Sequence, residues 1–331
     1  MSTYQPPFVV TPMILNQVIE IGELMGHWAA MAGRASPLLR KENRIRTIQA
    51  SLAIEDNSLT TEQVTALMEG KRILAPAKDI QEVRNAILAY EKMSEWKSDQ
   101  LSDLLQAHRV LMLGLVDNPG QLRTGNVGVY REKQLIHMAP PASQVLRLMN
   151  DLLGWLKTTE LHPLIAGAVF HYEFEFEFIH PFADGNGRMG RLWQTLILRE
   201  WRSELAWLPV ETLIHYQQDR YYQVLGQCDR QSSCTPFIEF ILENIISALQ
   251  EGLGKPSTLS EEMSEEMSPD LLDIEKRILQ ILSNQPGRSA KSIAEECAIS
   301  ARTVERYLKA LQLKGKLQRV GATKGGMWRV V

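Results

Sequence analysis

Cysteine is scarce in this chain, with Cys228, Cys234 and Cys297 the only three in 331 residues. An odd number, without a CxxC pair, supports neither a disulfide framework nor a cysteine-held zinc site, so a reducing, cytoplasmic setting is expected. Long apolar runs are lacking too, and none approaches the roughly eighteen residues that a membrane-spanning helix needs. The opening MSTYQPPFVV has no basic stretch leading into an apolar one and a cleavage site, which disfavours secretion and membrane anchoring. Nor does one sign of charge dominate, the net value being −3. What is present is ordinary globular composition, 44% apolar and 23% charged. At roughly 100–200 residues per domain the length suits two or three domains.

The near-neutral total conceals an asymmetry. Residues 271–331 hold six Lys and six Arg against one Asp and four Glu, a charge of +7 that leaves −10 for residues 1–270. Between the two parts, EGLGKPSTLSEEMSEEMSPD (251–270) is rich in Gly, Pro, Ser and Glu, carries an EEMS duplication and reads as a solvated linker. Upstream, apolar residues recur at helical spacing, as in Ile14, Val18, Ile21 and Met25, then Ile80, Val83, Ile87 and Leu88, so the body is mainly α-helical. The interruption is GQLRTGNVGVYREKQLIHMAPP (120–141), whose glycines, alternation around Val127–Tyr130 and closing Pro140–Pro141 predict a short surface β-hairpin. HYEFEFEFIH (171–180) is ambiguous: Glu and Phe alternate as in a strand, yet Phe170, Phe174 and Phe178 also fall four apart, as on one ridge of a helix.

Chemistry concentrates in HPFADGNGRMGR (180–191), followed by the helix-like LWQTLILREW. Gly185, Asn186 and Gly187 can turn successive N–H groups inward as a nest for phosphate oxygens, and a helix N-terminus beyond adds its dipole. Arg188 and Arg191, three apart, can both reach one polyphosphate. Asp184 is placed to hold Mg²⁺, which commonly shares a carboxylate with substrate phosphates. His180 can take a proton from an attacking hydroxyl, since its ordinary pKa lies near working pH. Singly, each is more often a turn residue or a solvated face. Their joint occurrence in this order is far more specific.

HPFADGNGRMGR resembles the signature of Fic-domain proteins, H-P-F-x-[DE]-G-N-G-R-x-x-R, at every defined position. The preceding ELHPLIAGAVFHYEFEFEFIHPF resembles that family's helix leading into the catalytic loop, and the hairpin resembles its target-docking flap. The resemblance covers roughly residues 1–250. It implies a Fic-type helical bundle with a helical 171–180 segment, and transfer of AMP from ATP to a Ser, Thr or Tyr hydroxyl of a protein, with self-modification possible. By position it makes His180 the general base, Asp184 the Mg²⁺ ligand, Gly185–Asn186–Gly187 the nest and Arg188 and Arg191 the holders of the β- and γ-phosphates. Doc toxins, which phosphorylate instead, carry Lys where this chain has Gly187. Tyr221–Tyr222 matches the family's adenine-side Tyr pair, with core packing of an amphipathic helix the alternative reading, and Asp229 replaces an Asn of some relatives. Leu135, Ile136, His137 and Met138 are the flap residues expected to pair with a target strand.

SLAIEDN (51–57) resembles the family's inhibitory pattern, [ST]-x-x-x-E-[GN], through Ser51 and Glu55, with Asp56 departing from Gly or Asn. The resemblance implies that Glu55 pairs with Arg191, taking the cation that the γ-phosphate needs, and that in some relatives this Glu orients a water for removing AMP. Relatives often form dimers, so a homodimer is possible. The expected divisions are residues 1–110 with the inhibitory helix, 111–250 as catalytic core, the linker 251–270 and a basic module, 271–331. That module reads as helices over 272–282, 290–297 and 301–313, with Ser289 and Ser300 as N-caps, then two short strands around a Gly-rich wing. It resembles a winged helix-turn-helix, placing Arg302, Thr303, Arg306 and Lys309 on the prospective DNA-reading helix. A rival function is a DNA-binding regulator whose Fic domain senses nucleotide.

Overall fold

Apolar spacing of three and four becomes helix through most of the chain. The computed structural model describes residues 4–32, 37–131, 134–174, 179–253, 277–283, 285–297, 304, 308, 311–312, 317–320 and 327–330. Two units divide the chain, Met1–Lys255 and Pro256–Val331. In the first, α1 (Pro12–Ala32), α2 (Pro37–Ala53), α3 (Thr61–Met68), α4 (Ala77–Lys92) and α5 (Leu101–Leu111) precede the hairpin β1 (Gly128–Arg131) and β2 (Gln134–Met138). Then follow α6 (Ala142–Thr158), α7 (Pro163–Tyr172), α8 (Asn186–Trp201), α9 (Val210–Tyr216), α10 (Gln218–Gln231) and α11 (Thr235–Gly252).

Helices α7 and α8 pack together at the centre. Every residue of α7 from Leu164 to Tyr172 is buried, as is every residue of α8 from Arg188 to Leu198, so these are core helices rather than amphipathic surface ones. Pro163 opens α7, where a missing N–H costs nothing, and Thr60 and Gln63 form a reciprocal capping box at α3. One buried apolar cluster runs from Ile45, Ile48 and Leu52 of α2 through Trp96 and Phe170 to Trp193 and Ile197 of α8. Residues 1–110 and 111–250, which the sequence reading separates, therefore share one core. On α4 the apolar stripe is partly misread: Leu88 is exposed, while Glu82 and Asn85 are buried beside Val83 and Ala86. Helices α1 and α11 lie against each other.

The second unit has a helical segment over 277–283, then α12 (Ala290–Cys297), and an antiparallel pair of β3 (Leu317–Val320) and β4 (Met327–Val330), with Leu317 opposite Val330 and Val320 opposite Met327. Ser289 caps α12, its Oγ accepting from the Ser292 N–H at 3.2 Å. Ile278, Leu282, Ile293, Val304, Leu308, Leu311 and Trp328 share a small core of their own. Ser300, Arg302, Thr303, Arg306 and Lys309 lie outside the described residues. Of the expected linker 251–270, residues 251–252 end α11 instead, and everything from 254 on lies outside them as well.

In the 171–180 segment, residues 171–174 are helical, whereas Ile179 and His180 are not. After α7 the helix widens into a π-type turn at Glu173 and Phe174, and the Phe170 and Phe174 rings stack at 5.7 Å, the helical ridge rather than the strand alternation. Residues 175–178 lie outside the described residues. The Tyr4 hydroxyl donates to Glu173 at 2.5 Å, and burial pushes the Glu173 carboxyl from 4.5 up to about 7. Between those values the folded state holds a proton that the unfolded chain releases, so this group's stabilisation is full below about pH 4.5 and is lost as pH rises through 7. Glu173→Gln, which does not titrate, should therefore gain stability relative to wild type by up to about 3 kcal/mol between pH 4.5 and pH 8, read by urea unfolding at both pH values. A constant difference across that range would contradict it.

Candidate active site

The HPFADGNGRMGR segment is closed by backbone bonds at its entry and by a side chain further on. Ile179 and His180 donate their N–H groups back to the carbonyls of Glu173 and Phe174 at 3.3 and 3.2 Å. Asn186 supplies that side chain: its Oδ1 accepts from the Phe182 N–H and its Nδ2 donates to the Phe182 carbonyl, both at 2.9 Å. Its side chain is thus a loop clamp, not a phosphate contact, and only its backbone N–H belongs to the expected nest. Gly185 sits at φ 83°, and a Cβ there would meet Met112 Sδ at 2.6 Å, so both backbone and space require glycine. The first turn of α8, at Asn186, Gly187 and Arg188, carries no side-chain cap. Uncapped N–H groups at the start of a sixteen-residue helix make a site for an anion. Half-buried His180 stands before it at φ 43°, a left-handed conformation that costs a non-glycine residue about 1–2 kcal/mol. Asp184 is 56% exposed, and both of its side-chain hydrogen bonds, from the Gly185 N–H and from Arg188, fall on Oδ1.

The two arginines are turned onto carboxylates. Arg188 donates to Glu82 Oε1 at 3.0 Å and to Asp184 Oδ1 at 3.1 Å, and Glu82 is itself buried and accepts from Asn57 Nδ2 at 2.8 Å. Arg191, whose side chain is only 1% exposed, donates through Nε to Ser51 Oγ, and through one terminal nitrogen to the Ser51 carbonyl and to Glu55 Oε1 at 2.7 Å. Ser51 and Glu55 are thus brought onto Arg191, the geometry that the inhibitory pattern implies. A further carboxylate, Glu211, is buried near Arg191 and accepts from Thr195 Oγ1 and Tyr90, and its burial pushes its pKa up against the pull of those neighbours.

The end of α2 explains the inhibitory pattern as a helix cap. The Asn57 N–H reaches back to the Leu52 carbonyl and the Asp56 N–H to the Ala53 carbonyl, with Asp56 at φ 64°. This is a Schellman motif with Glu55 as the C-cap and Asp56 as the left-handed residue after it. The place after the glutamate wants Gly or Asn because its φ is positive, and Asp is among the few other residues that tolerate it. The cap throws Glu55 toward Arg191 while Asn57 turns inward to Glu82.

Two buried residues escaped the sequence reading. His108, on the apolar face of α5 with Leu104 and Leu111, accepts from the Gly120 N–H on Nδ1 at 2.8 Å and holds the Asp184 carbonyl on Nε2 at 3.1 Å. Its ring stacks on Phe182 at 3.6 Å, and burial pushes its pKa down to about 4, so it is a neutral group with its proton on Nε2. Arg123, in the strand-leading LRTG segment, bonds to backbone carbonyls of the catalytic loop and the hairpin stem. A histidine on a core-spaced helical face was the available signal for the first, and an arginine at the hairpin root for the second.

The other expected residues are more scattered. In the hairpin, Val129 pairs with His137 and Tyr130 with Leu135, a register shift between them skipping Ile136; Gly128 pairs with Met138. Tyr221 is fully buried against His171, Phe237 and Phe240. Tyr222 is half-buried and meets Gln218, which also donates to the Ile54 carbonyl beside Glu55. Asp229 is exposed near the far end of α10.

The Fic/DOC family matches residues 98–198, and a winged helix-turn-helix DNA-binding family matches residues 271–318. A crystal structure of a Fic family protein from Desulfovibrio desulfuricans G20 is 45% identical, covers 99% of this chain and 98% of its own, and aligns with a TM-score of 0.73. The chain belongs to the Fic family. Its fold is the Fic helical bundle with a small β-hairpin, followed by a winged helix-turn-helix. Among curated Fic relatives, protein adenylyltransferase fic-1 of Caenorhabditis briggsae is 27% identical over 75% of this chain and 48% of that protein. Protein adenylyltransferase Fic of Aedes aegypti is 31% identical over 70% and 46%. The chain spans about half the length of the curated relatives it matches. Fic-1 from C. elegans, 22% identical over 73% of this chain and 71% of that one with a TM-score of 0.58, shares the fold.

If the cap places Glu55, its left-handed residue controls local stability. Asp56→Gly should leave stability within about 1 kcal/mol of wild type or raise it, whereas Asp56→Val, β-branched at φ 64°, should lose about 1–2 kcal/mol. Chemical denaturation of the full chain checks both, and equal effects would mean that Asp56 is not held left-handed.

Proposed function

We propose that this Fic protein transfers AMP from ATP to a hydroxyl group of a protein and is restrained by Glu55. The observation that carries the reading is the uncapped start of α8 flanked by His180, Asp184, Arg188 and Arg191. Relatives named protein adenylyltransferases support it. The nest N–H groups hold phosphate oxygens, and the arginines orient the triphosphate so that the α-phosphorus faces the hairpin side. His180 takes the proton of the incoming hydroxyl as its oxygen bonds to the α-phosphorus. The bond from that phosphorus to the β-phosphate oxygen breaks, and pyrophosphate leaves.

The residues fit a divalent cation shared with the substrate. Asp184 keeps Oδ2 out of its hydrogen bonds, and among the described residues no three His, Cys, Asp or Glu side chains converge into a site of their own. When bound, Mg²⁺ neutralises phosphate charge, with Asp184 as its protein ligand. Gly187 in place of the Doc lysine favours AMP transfer over phosphorylation. In the reverse direction Glu55 holds a water for removing AMP from the modified protein. The second unit reads as a DNA contact, on its family match and its charge of +7. No described helix is long and apolar enough to cross a membrane. The sparse cysteines, with no CxxC pair, support a reducing, cytoplasmic setting.

Incubation with Mg²⁺ and ATP labelled at the α- or γ-phosphate, in the presence of lysate proteins, tests the reading. Label should pass from the α-position only, rise about tenfold or more in Glu55→Gly, and fall at least about 100-fold when His180→Ala is added. No α-label in any variant despite ATP binding would favour the nucleotide-sensing regulator, and γ-label alone a kinase.

A further inference from the structure

Arg123 is almost fully buried, and every hydrogen bond of its guanidinium goes to a backbone carbonyl. Nε donates to His180 at 2.8 Å, one terminal nitrogen to Gly125 at 2.9 Å, and the other to Pro140 at 2.5 Å and Ile179 at 3.3 Å. Its own N–H donates to the Pro181 carbonyl at 2.9 Å. These acceptors belong to separate places in the chain: Ile179, His180 and Pro181 form the entry to the catalytic loop, while Gly125 and Pro140 flank the two strands of the hairpin. A cation buried without a carboxylate is costly, and burial lowers its pKa accordingly. That cost is offset by geometry only a planar fork supplies, several N–H groups aimed in fixed directions at once.

We propose that Arg123 is a positioning residue that ties the β1–β2 hairpin to the catalytic loop and sets the backbone at His180. The carbonyl it holds belongs to the residue at φ 43°, a conformation that persists only where its surroundings enforce it. The hairpin is a two-stranded sheet, so a strand docked on it would lie at a distance from His180 fixed through one guanidinium. The role is distinct from the phosphate clamp, because none of the bonds of Arg123 reaches Asp184, Arg188 or Arg191.

The kinetic arm of the test rests on the AMP-transfer reading; the structural arm does not. In the full chain carrying Glu55→Gly, Arg123→Lys and Arg123→Gln are compared with their parent by amide hydrogen exchange and by transfer of α-labelled AMP. Exchange should accelerate about tenfold or more in 125–128 and at Ala139 and, together with them, in 179–180 and 182–184, while α1 and α11 stay as in the parent. The turnover number should fall about 100-fold in Arg123→Gln at an unchanged KM for ATP, with Arg123→Lys intermediate because it keeps a cation but loses the fork. Acceleration in only one of the two segments, or turnover equal to the parent, would overturn the proposal. So would acceleration spread over α1 and α11 in both variants, which would make Arg123 a general core residue. Should Arg123→Gln fail to fold, Arg123→Lys decides by the same criteria. If the parent itself transfers no AMP, the functional reading fails, and the exchange data still decide whether Arg123 joins hairpin and loop.

Discussion

Arg191 carries a full positive charge at 1% side-chain exposure, held by Ser51 and Glu55. Removing the partner of a buried charge costs about 3–5 kcal/mol, so displacing Glu55 favours another anion in its place beside this guanidinium. The asymmetry of the pair makes exchange possible. Glu55 is 34% exposed and sits on a helix end, where it can withdraw into water, whereas Arg191 is fixed in the central helix. A phosphate oxygen replacing the carboxylate leaves the charge balance unchanged. The restraint proposed for Glu55 would thus be a competition between two anions for one cation.

The second arginine follows the same logic at greater depth. Arg188 is paired with buried Glu82, and Glu82 is bonded to Asn57, two residues beyond Glu55. One helix end therefore touches both arginines, Arg191 directly and Arg188 through Glu82. The left-handed Asp56 makes this possible by reversing the chain between the two contacts. Since α2 also contributes Ile45, Ile48 and Leu52 to the core that contains α8, the position of Glu55 is set by apolar packing as much as by charge.

Around the loop, side chains acting on backbone carbonyls do much of the shaping. His108 holds the Asp184 carbonyl, Arg123 those of Ile179 and His180, and Asn186 both backbone groups of Phe182. Two of these three side chains, His108 and Arg123, come from outside the loop. They also keep a strained residue, His180, in one conformation, because buried polar groups that lose their partners are costly.

Much of this was legible in the chain alone. Helical periodicity marks α1 and most of α4, and the Gly and Pro pattern marks the hairpin, because burial of one face imposes a period on the residues. The loop was legible because a glycine at φ 83° and an uncapped helix start need particular residues in immediate succession. Glu55 was found through a local pattern whose basis is the cap geometry. What the sequence could not decide were the partners brought together from a distance. Glu82 reaches Arg188 across 106 residues and Arg123 reaches His180 across 57, while Tyr221 goes to the core and its neighbour Tyr222 meets Gln218 instead. Local chemistry determines which groups a short segment can present. Only the packing of distant helices determines which charges and carbonyls they meet.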